Sequence, residues 1–184
     1  MFIRARQAAE RAIRDGAKLI AGPLFGANTK AIASVAAAAN VKVLSFSTDA
    51  GVAGDPVYLT GFLPEMAARR ITSFARSRGY GQIGLFYPQN AYEQAALRGA
   101  QVGARTALVT SQAYPRTSEG IPPASKQFAA SAKAAGARAI VLAESGEALK
   151  FVGSMMQSNG LGPGEVKYLG LGEWNSRATL GENS

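Results

Sequence analysis

The chain has 184 residues, 47% of them hydrophobic, with 20 Lys and Arg against 12 Asp and Glu for a formal charge of +8. That length and apolar content suit one or two packed α/β units. Cysteine and histidine are both absent, which removes disulfides, thiolate nucleophiles, histidine metal sites and the Ser-His general base, and so argues against most hydrolytic mechanisms.

The basic charge is dispersed. Its densest groups, Arg4, Arg6, Arg11 and Arg14, then Arg69, Arg70, Arg76 and Arg78, are spread along amphipathic helices without interleaved aromatics, the pattern of solvated helix faces rather than of a nucleic-acid surface. The N-terminus, MFIRARQAAERAIRDG, has arginines throughout and reads neither as a signal peptide nor as a membrane helix, and no later run approaches the roughly 18 apolar residues of a membrane span.

In chain order, residues 2–14 are predicted helical, with Ile3, Ala8, Ala12 and Ile13 on one face and Gly16 as the stop. A short strand over 18–21 ends at Gly22-Pro23, and Asn28 is expected to cap an alanine-rich helix running to about Ala39. A buried strand follows over 41–46, then a polar loop over 47–56, an extended piece over 57–60 and a break near Pro64. From Pro64 a helix is expected to bury Ala67, Ile71, Phe74 and Ala75, followed by a strand at 83–87. Asn90 and Glu93 have capping-box spacing for a helix over 91–104, and a strand falls within 106–114. Pro122-Pro123 open the next helix and Gly136 closes it. Residues 139–143 form a strand, 146–158 a helix with Leu149, Val152 and Met156 inward, and 168–171 the last strand.

Alternating strands and helices at this spacing predict doubly wound parallel sheets, whose ligands bind beyond the carboxyl ends of the strands. The loops to inspect are therefore 22–29, 47–55, 88–92, 144–146 and 172–176. GPLFGANTK (22–30) is not a phosphate loop, because Ala27 stands where that motif needs its second glycine. Its glycines still admit close approach of a ligand, and helix-opening amides near Asn28 and Thr29 favour an anion; an ordinary turn is the alternative. SFSTDAG (45–51) supplies Ser47, Thr48 and Asp49 at a strand end, Asn90 and Tyr92 follow the strand 83–87, and Glu144 and Ser145 follow 139–143, with turn chemistry, packing and helix capping as the plainer readings. AESGE lacks both glycines of a nucleophile elbow. LGLGEWNS (169–176) sets Glu173 and the only tryptophan, Trp174, at the last strand end.

Taken together, AKLIAGPLFGANTKAIASVAAAANVKVLSFSTD, the break YLTGFLPE, and the later GQIGLFYPQNAYEQAA and KYLGLGEWN resemble the type I periplasmic solute-binding proteins over nearly the whole chain. The nearest branches are the leucine/isoleucine/valine-binding type and the penicillin-binding-protein activators. The resemblance implies two Rossmann-like lobes with parallel sheets, here residues 1–62 and 63–184, closing on a small polar ligand without catalysis, metal or cofactor. It further implies a periplasmic location and an ABC permease partner, or in the activator branch a regulatory role with a cell-wall synthase partner; neither nucleic-acid binding nor a membrane span is implied.

By position, Gly26, Ala27 and Thr29 match the loop that receives a ligand carboxylate, Ser47 and Thr48 its partner loop, Tyr92 the second-lobe tyrosine, Glu144 and Ser145 a second wall, and Glu173 the acid that receives an ammonium group. The resemblance departs from the amino-acid binders at Gly26-Ala27-Asn28, which replaces a more hydroxyl-rich loop. The family's opening strand and helix and its returning final elements have no counterpart here, so the fold is expected to be truncated at both ends.

Overall fold

Short apolar strands that alternate inward and outward residues need helices to cover them, and the chain supplies these in two compact units, Met1–Leu63 and Pro64–Ser184. The computed structural model describes residues 2–174, with the side chains of residues 2, 91–93 and 173 outside that description.

In the first unit, helix α1 (Phe2–Arg14) leads to strand β1 (Leu19–Ala21), helix α2 (Gly26–Ala38), strand β2 (Lys42–Ser45), a short 3₁₀ turn (Ala50–Val52) and strand β3 (Val57–Leu59). The strands form one parallel sheet in the order β1-β2-β3, with Ile20 paired to Val43 and Val43 to Val57. These inward residues meet Ala9 of α1 and Ile32 and Ala36 of α2 in one core. The register places Leu19, Leu44 and Tyr58 on the opposite face of the sheet, where Leu19 and Tyr58 are exposed. In α1 the inward turn is set one residue away from the expected face: Ala9 is buried, while Ile3 and Ala8 are exposed.

The second unit runs α3 (Pro64–Ser77), β4 (Ile83–Pro88), α4 (Ala91–Ala104), β5 (Leu108–Tyr114), α5 (Ile121–Ala134), β6 (Ala139–Leu142), α6 (Gly146–Ser158) and β7 (Lys167–Gly170), ending in a 3₁₀ turn (Gly172–Trp174). Its four strands are parallel in the order β5-β4-β6-β7. Both central strands are buried on both faces. Ile83, Leu85, Tyr87, Ala139 and Val141 point to the layer built with α3 and α4, whereas Phe86, Ile140 and Leu142 point to α5 and α6. That two-sided burial explains why these strands are continuous apolar runs. On the second face Phe86 stacks on Tyr114 at 4.2 Å between ring centroids and meets Phe128 at 5.0 Å, contacts worth about 0.5–1.5 kcal/mol each beyond area burial.

Helix α3 turns differently from the periodicity reading. Pro64, Ala68, Thr72 and Ala75 are buried, Ala67 and Ile71 are half-buried, and Phe74 is 54% exposed beneath the Arg78 guanidinium. The reason lies in α4, where Gly99 and Gly103 let the backbone of α3 come into contact at Glu65 and Arg69; a methyl group on either glycine would collide with those carbonyls. Small residues therefore win the interface over the larger apolar ones. Thr72 satisfies its buried hydroxyl by donating to Ala68 O at 2.7 Å.

Two predictions follow from this packing. Gly99→Ala forces α3 and α4 apart and is expected to lower stability by about 1–3 kcal/mol, read as a lower urea midpoint at unchanged slope. Burial of Tyr168 pushes its phenol up to about 12, and the hydroxyl donates to Leu161 O at 2.6 Å. The folded state thus holds this proton more tightly than the unfolded chain, so the contribution is complete below pH about 10 and is lost as pH rises toward 12. Tyr168→Phe is expected to flatten that part of the stability profile relative to wild type, measured by denaturant melts across the range.

Candidate functional site

In the first unit the carboxyl ends of β1 and β2 lie side by side, so loops 22–25 and 46–49 meet. Their polar groups are joined through Ser45, which is fully buried. Its Oγ lies 2.7 Å from Thr29 Oγ1, donates to Pro23 O at 3.0 Å and accepts from the Ser47 amide at 3.1 Å. Ser47, also buried, accepts the Asp49 amide on its Oγ at 3.0 Å, and Asp49 Oδ1 accepts the Gly51 amide at 2.9 Å.

Helix α2 begins at Gly26, so its cap lies three residues before the one expected at Asn28. Phe25 occupies the cap position, and its carbonyl accepts from both Asn28 N and Thr29 N at 3.0 Å. The helix-opening amides left without an acceptor among the described residues are therefore those of Gly26 and Ala27, not those near Asn28 and Thr29. Gly26 is required by close approach: a methyl group there would lie 2.9 Å from Asp49 Cβ and 3.1 Å from Ser47 Oγ. Of the residues singled out in the sequence, Gly26, Thr29 and Ser47 are thus brought together. Ala27 and Thr48 are exposed at the same end of the sheet. The Thr29 hydroxyl is spent inside the unit, on Ser45 and on Phe25 O at 3.2 Å.

In the second unit the chain steps across β4 between β5 and β6, which makes the loops after β4 and β6 the crevice of a doubly wound sheet. Glu144 follows β6, and its side chain is only 3% exposed. All four of its acceptor directions are used. Tyr114 Oη donates to Oε2 at 2.9 Å, Arg116 donates from Nε to Oε2 at 3.0 Å and from Nη2 to Oε1 at 2.8 Å, and the Ser145 amide donates to Oε1 at 3.0 Å. A bidentate guanidinium plus two further donors is the condition under which a buried carboxylate is tolerated. Ser145 sits at the N-cap of α6, but its hydroxyl makes no capping bond. Beside this cluster a shallow open groove runs between residues 116–118 and the amino-terminal parts of α5 and α6.

Trp174 is a packing residue: it lies against the α5/α6 cluster and its indole N–H donates to Leu142 O at 3.2 Å. The side chains of Tyr92, Glu93 and Glu173 lie outside the described residues, and with them the expected Asn90/Glu93 capping box, although the backbone places Tyr92 in the first turn of α4 and Glu173 in the turn after β7. No group of three or more metal-ligating acids is found among the described residues, and no helix among them is long and apolar enough to cross a membrane. Ser45, Tyr114 and Arg116 were not singled out by sequence. Ser45 resembles any serine ending a strand, and the 28-residue separation of Arg116 from Glu144 has no local signature.

Parallel sheets with polar loops gathered at their carboxyl ends define the class of doubly wound ligand-holding folds. The sequence matches the Periplasmic binding protein family over residues 4–183, and the chain belongs to that family. No curated protein matches it. Among solved structures, an ABC transporter substrate-binding protein from Sphaerobacter thermophilus superposes with a TM-score of 0.74 at 16% identity, over 98% of this chain and 50% of its own. A solute-binding protein of an ABC transporter from R. palustris, in complex with 4-hydroxybenzoate, gives 0.64 at 16% identity over 94% and 48%. The branched-chain amino acid transporter substrate-binding protein LivJ from Streptococcus pneumoniae, in complex with isoleucine, gives 0.62 at 16% identity over 98% and 51%. The fold is that of the type I periplasmic binding proteins, and the chain spans about half the length of these structures.

The Glu144 cluster yields a direct test. Arg116→Met leaves a buried carboxylate with two of its four donors and is expected to cost about 2–3 kcal/mol, whereas adding Glu144→Leu to that variant should recover much of the loss. Urea unfolding of the two single variants and the double variant provides the comparison.

Proposed function

We propose that the chain is the ligand-holding part of an extracytoplasmic solute-binding protein of an ABC uptake system, that it performs no chemistry on its solute, and that the solute carries a carboxylate, with an amino acid as the leading candidate. The observation that supports this most is the pair of unengaged amides of Gly26 and Ala27 at the start of α2, held against the Ser47–Asp49 loop. Two N–H groups at the positive end of a 13-residue helix suit a carboxylate. Isoleucine and 4-hydroxybenzoate, the ligands named for two of the similar structures, have that group in common.

What distinguishes an amino acid from an aromatic acid is the partner of its ammonium group. The resemblance to the amino-acid binders gives that role to Glu173, while Glu144 is already satisfied by four donors. Export to the periplasm and delivery to a permease complete the proposal, in line with the family's description.

Calorimetry on the purified protein with L-isoleucine and other amino acids, with benzoate and 4-hydroxybenzoate, and with uncharged sugars tests the reading. Amino acids are expected to bind, and Glu173→Gln to weaken them by roughly 10- to 100-fold, the loss of one charge-assisted hydrogen bond, while leaving any benzoate affinity unchanged. Tight binding of an uncharged sugar with no response to Glu173→Gln would overturn it.

A further inference from the structure

We infer that Ser45, fully buried beneath the loops, is the positioning residue that holds loop 22–27 and loop 46–49 as a single ligand-receiving surface; this rests on the reading of those loops as the carboxylate site. The argument is one of proton accounting. Thr29 and Ser45 each have one hydroxyl proton, and among them lie three oxygen partners: each other, Pro23 O and Phe25 O. The arrangement that makes the two shorter bonds sends the Thr29 proton to Ser45 Oγ at 2.7 Å and the Ser45 proton to Pro23 O at 3.0 Å. Ser45 Oγ then has lone-pair capacity for the Ser47 amide, which it accepts at 3.1 Å.

One buried atom thus ties three segments: the turn after β1 through Pro23, the first turn of α2 through Thr29, and the loop after β2 through Ser47. The Phe46 amide reinforces the first tie by donating to the same Pro23 carbonyl at 3.0 Å. Downstream, Ser47 Oγ fixes the Asp49 amide, and Asp49 abuts the space above Gly26, so the spacing between the Gly26 and Ala27 amides and the Ser47–Asp49 loop is set by this chain of bonds. An alanine at 45 leaves the buried Ser47 amide without its acceptor, turns the Thr29 hydroxyl to the longer bond to Phe25 O and takes one donor from Pro23 O.

The test uses the whole chain, amide hydrogen exchange by NMR, and titration with L-isoleucine and with benzoate. In Ser45→Ala the Ser47, Asp49 and Thr29 amides are expected to exchange about tenfold faster or more, with Val43 and Ile32 unchanged, and whichever probe binds wild type should lose about tenfold in affinity. Ser45→Cys fills the same space with a weak hydrogen-bonding group and is expected to behave like Ser45→Ala. Uniform acceleration that includes Val43 and Ile32, wild-type exchange in either variant, or an unchanged affinity in Ser45→Ala would overturn the assignment. If neither probe shifts the Gly26 and Ala27 amides of wild type, the reading of the loops as a carboxylate site fails instead, and the exchange pattern reports on Ser45 separately.

Discussion

A parallel strand that enters a core has to release its chain at the carboxyl end without leaving polar groups unpaired, and much of this molecule is arranged around that requirement. The two units meet it in different ways. After β2 the answer is a set of small hydroxyls, Ser45, Thr29 and Ser47, that pass protons to loop carbonyls and accept loop amides. After β6 it is a carboxylate, Glu144, enclosed by a guanidinium, a phenol and its neighbour's amide. Each network fixes the loops at its strand end, so the interior of the sheet and the shape of that end are parts of one problem.

This view separates two kinds of polar residue at strand ends that look alike in a sequence. Some are committed inward. Thr29 and Glu144 have their strong bonds satisfied by the protein, and what they do is place their neighbours. Others have no acceptor among the described residues or stand exposed, namely the Gly26 and Ala27 amides and Thr48, and on the proposed reading contact with a solute falls to them. A buried charge such as Glu144 brings shape rather than attraction, because its field is already balanced by Arg116.

Much of the fold was legible in the sequence because its strongest signals are local. The apolar runs at 83–87 and 139–143, the glycines and prolines that end elements, and the stripe Leu149, Val152, Met156 all act within a few residues of one another. The errors have a common source in contacts between distant segments. The inward face of α3 was assigned to Ala67, Ile71, Phe74 and Ala75 on periodicity; Ala75 is buried and Ala67 and Ile71 pack on the core, but Phe74 is exposed, because Gly99 and Gly103 on the next helix reward small side chains such as Ala68 and Thr72. The start of α2 was placed at Asn28, a good capping residue, yet the turn is closed by the Phe25 carbonyl and needs no side chain. At the candidate site the residue types at the strand ends were readable, while which of them point inward depends on Ser45, Tyr114 and Arg116, none of which has a motif.

The cage around Glu144 also bears on how this chain can diverge. Tyr114, Arg116 and Glu144 come from two strand ends 28 residues apart, yet the buried acid does not keep its environment if either partner changes, since a buried carboxylate without its guanidinium is worse than an apolar trio. The three positions therefore behave as one inherited character. Lineages descending from this sequence are expected to keep the set or to exchange it whole for hydrocarbon, and a protein caught with one member altered would have its history written in a compensating change at the other two.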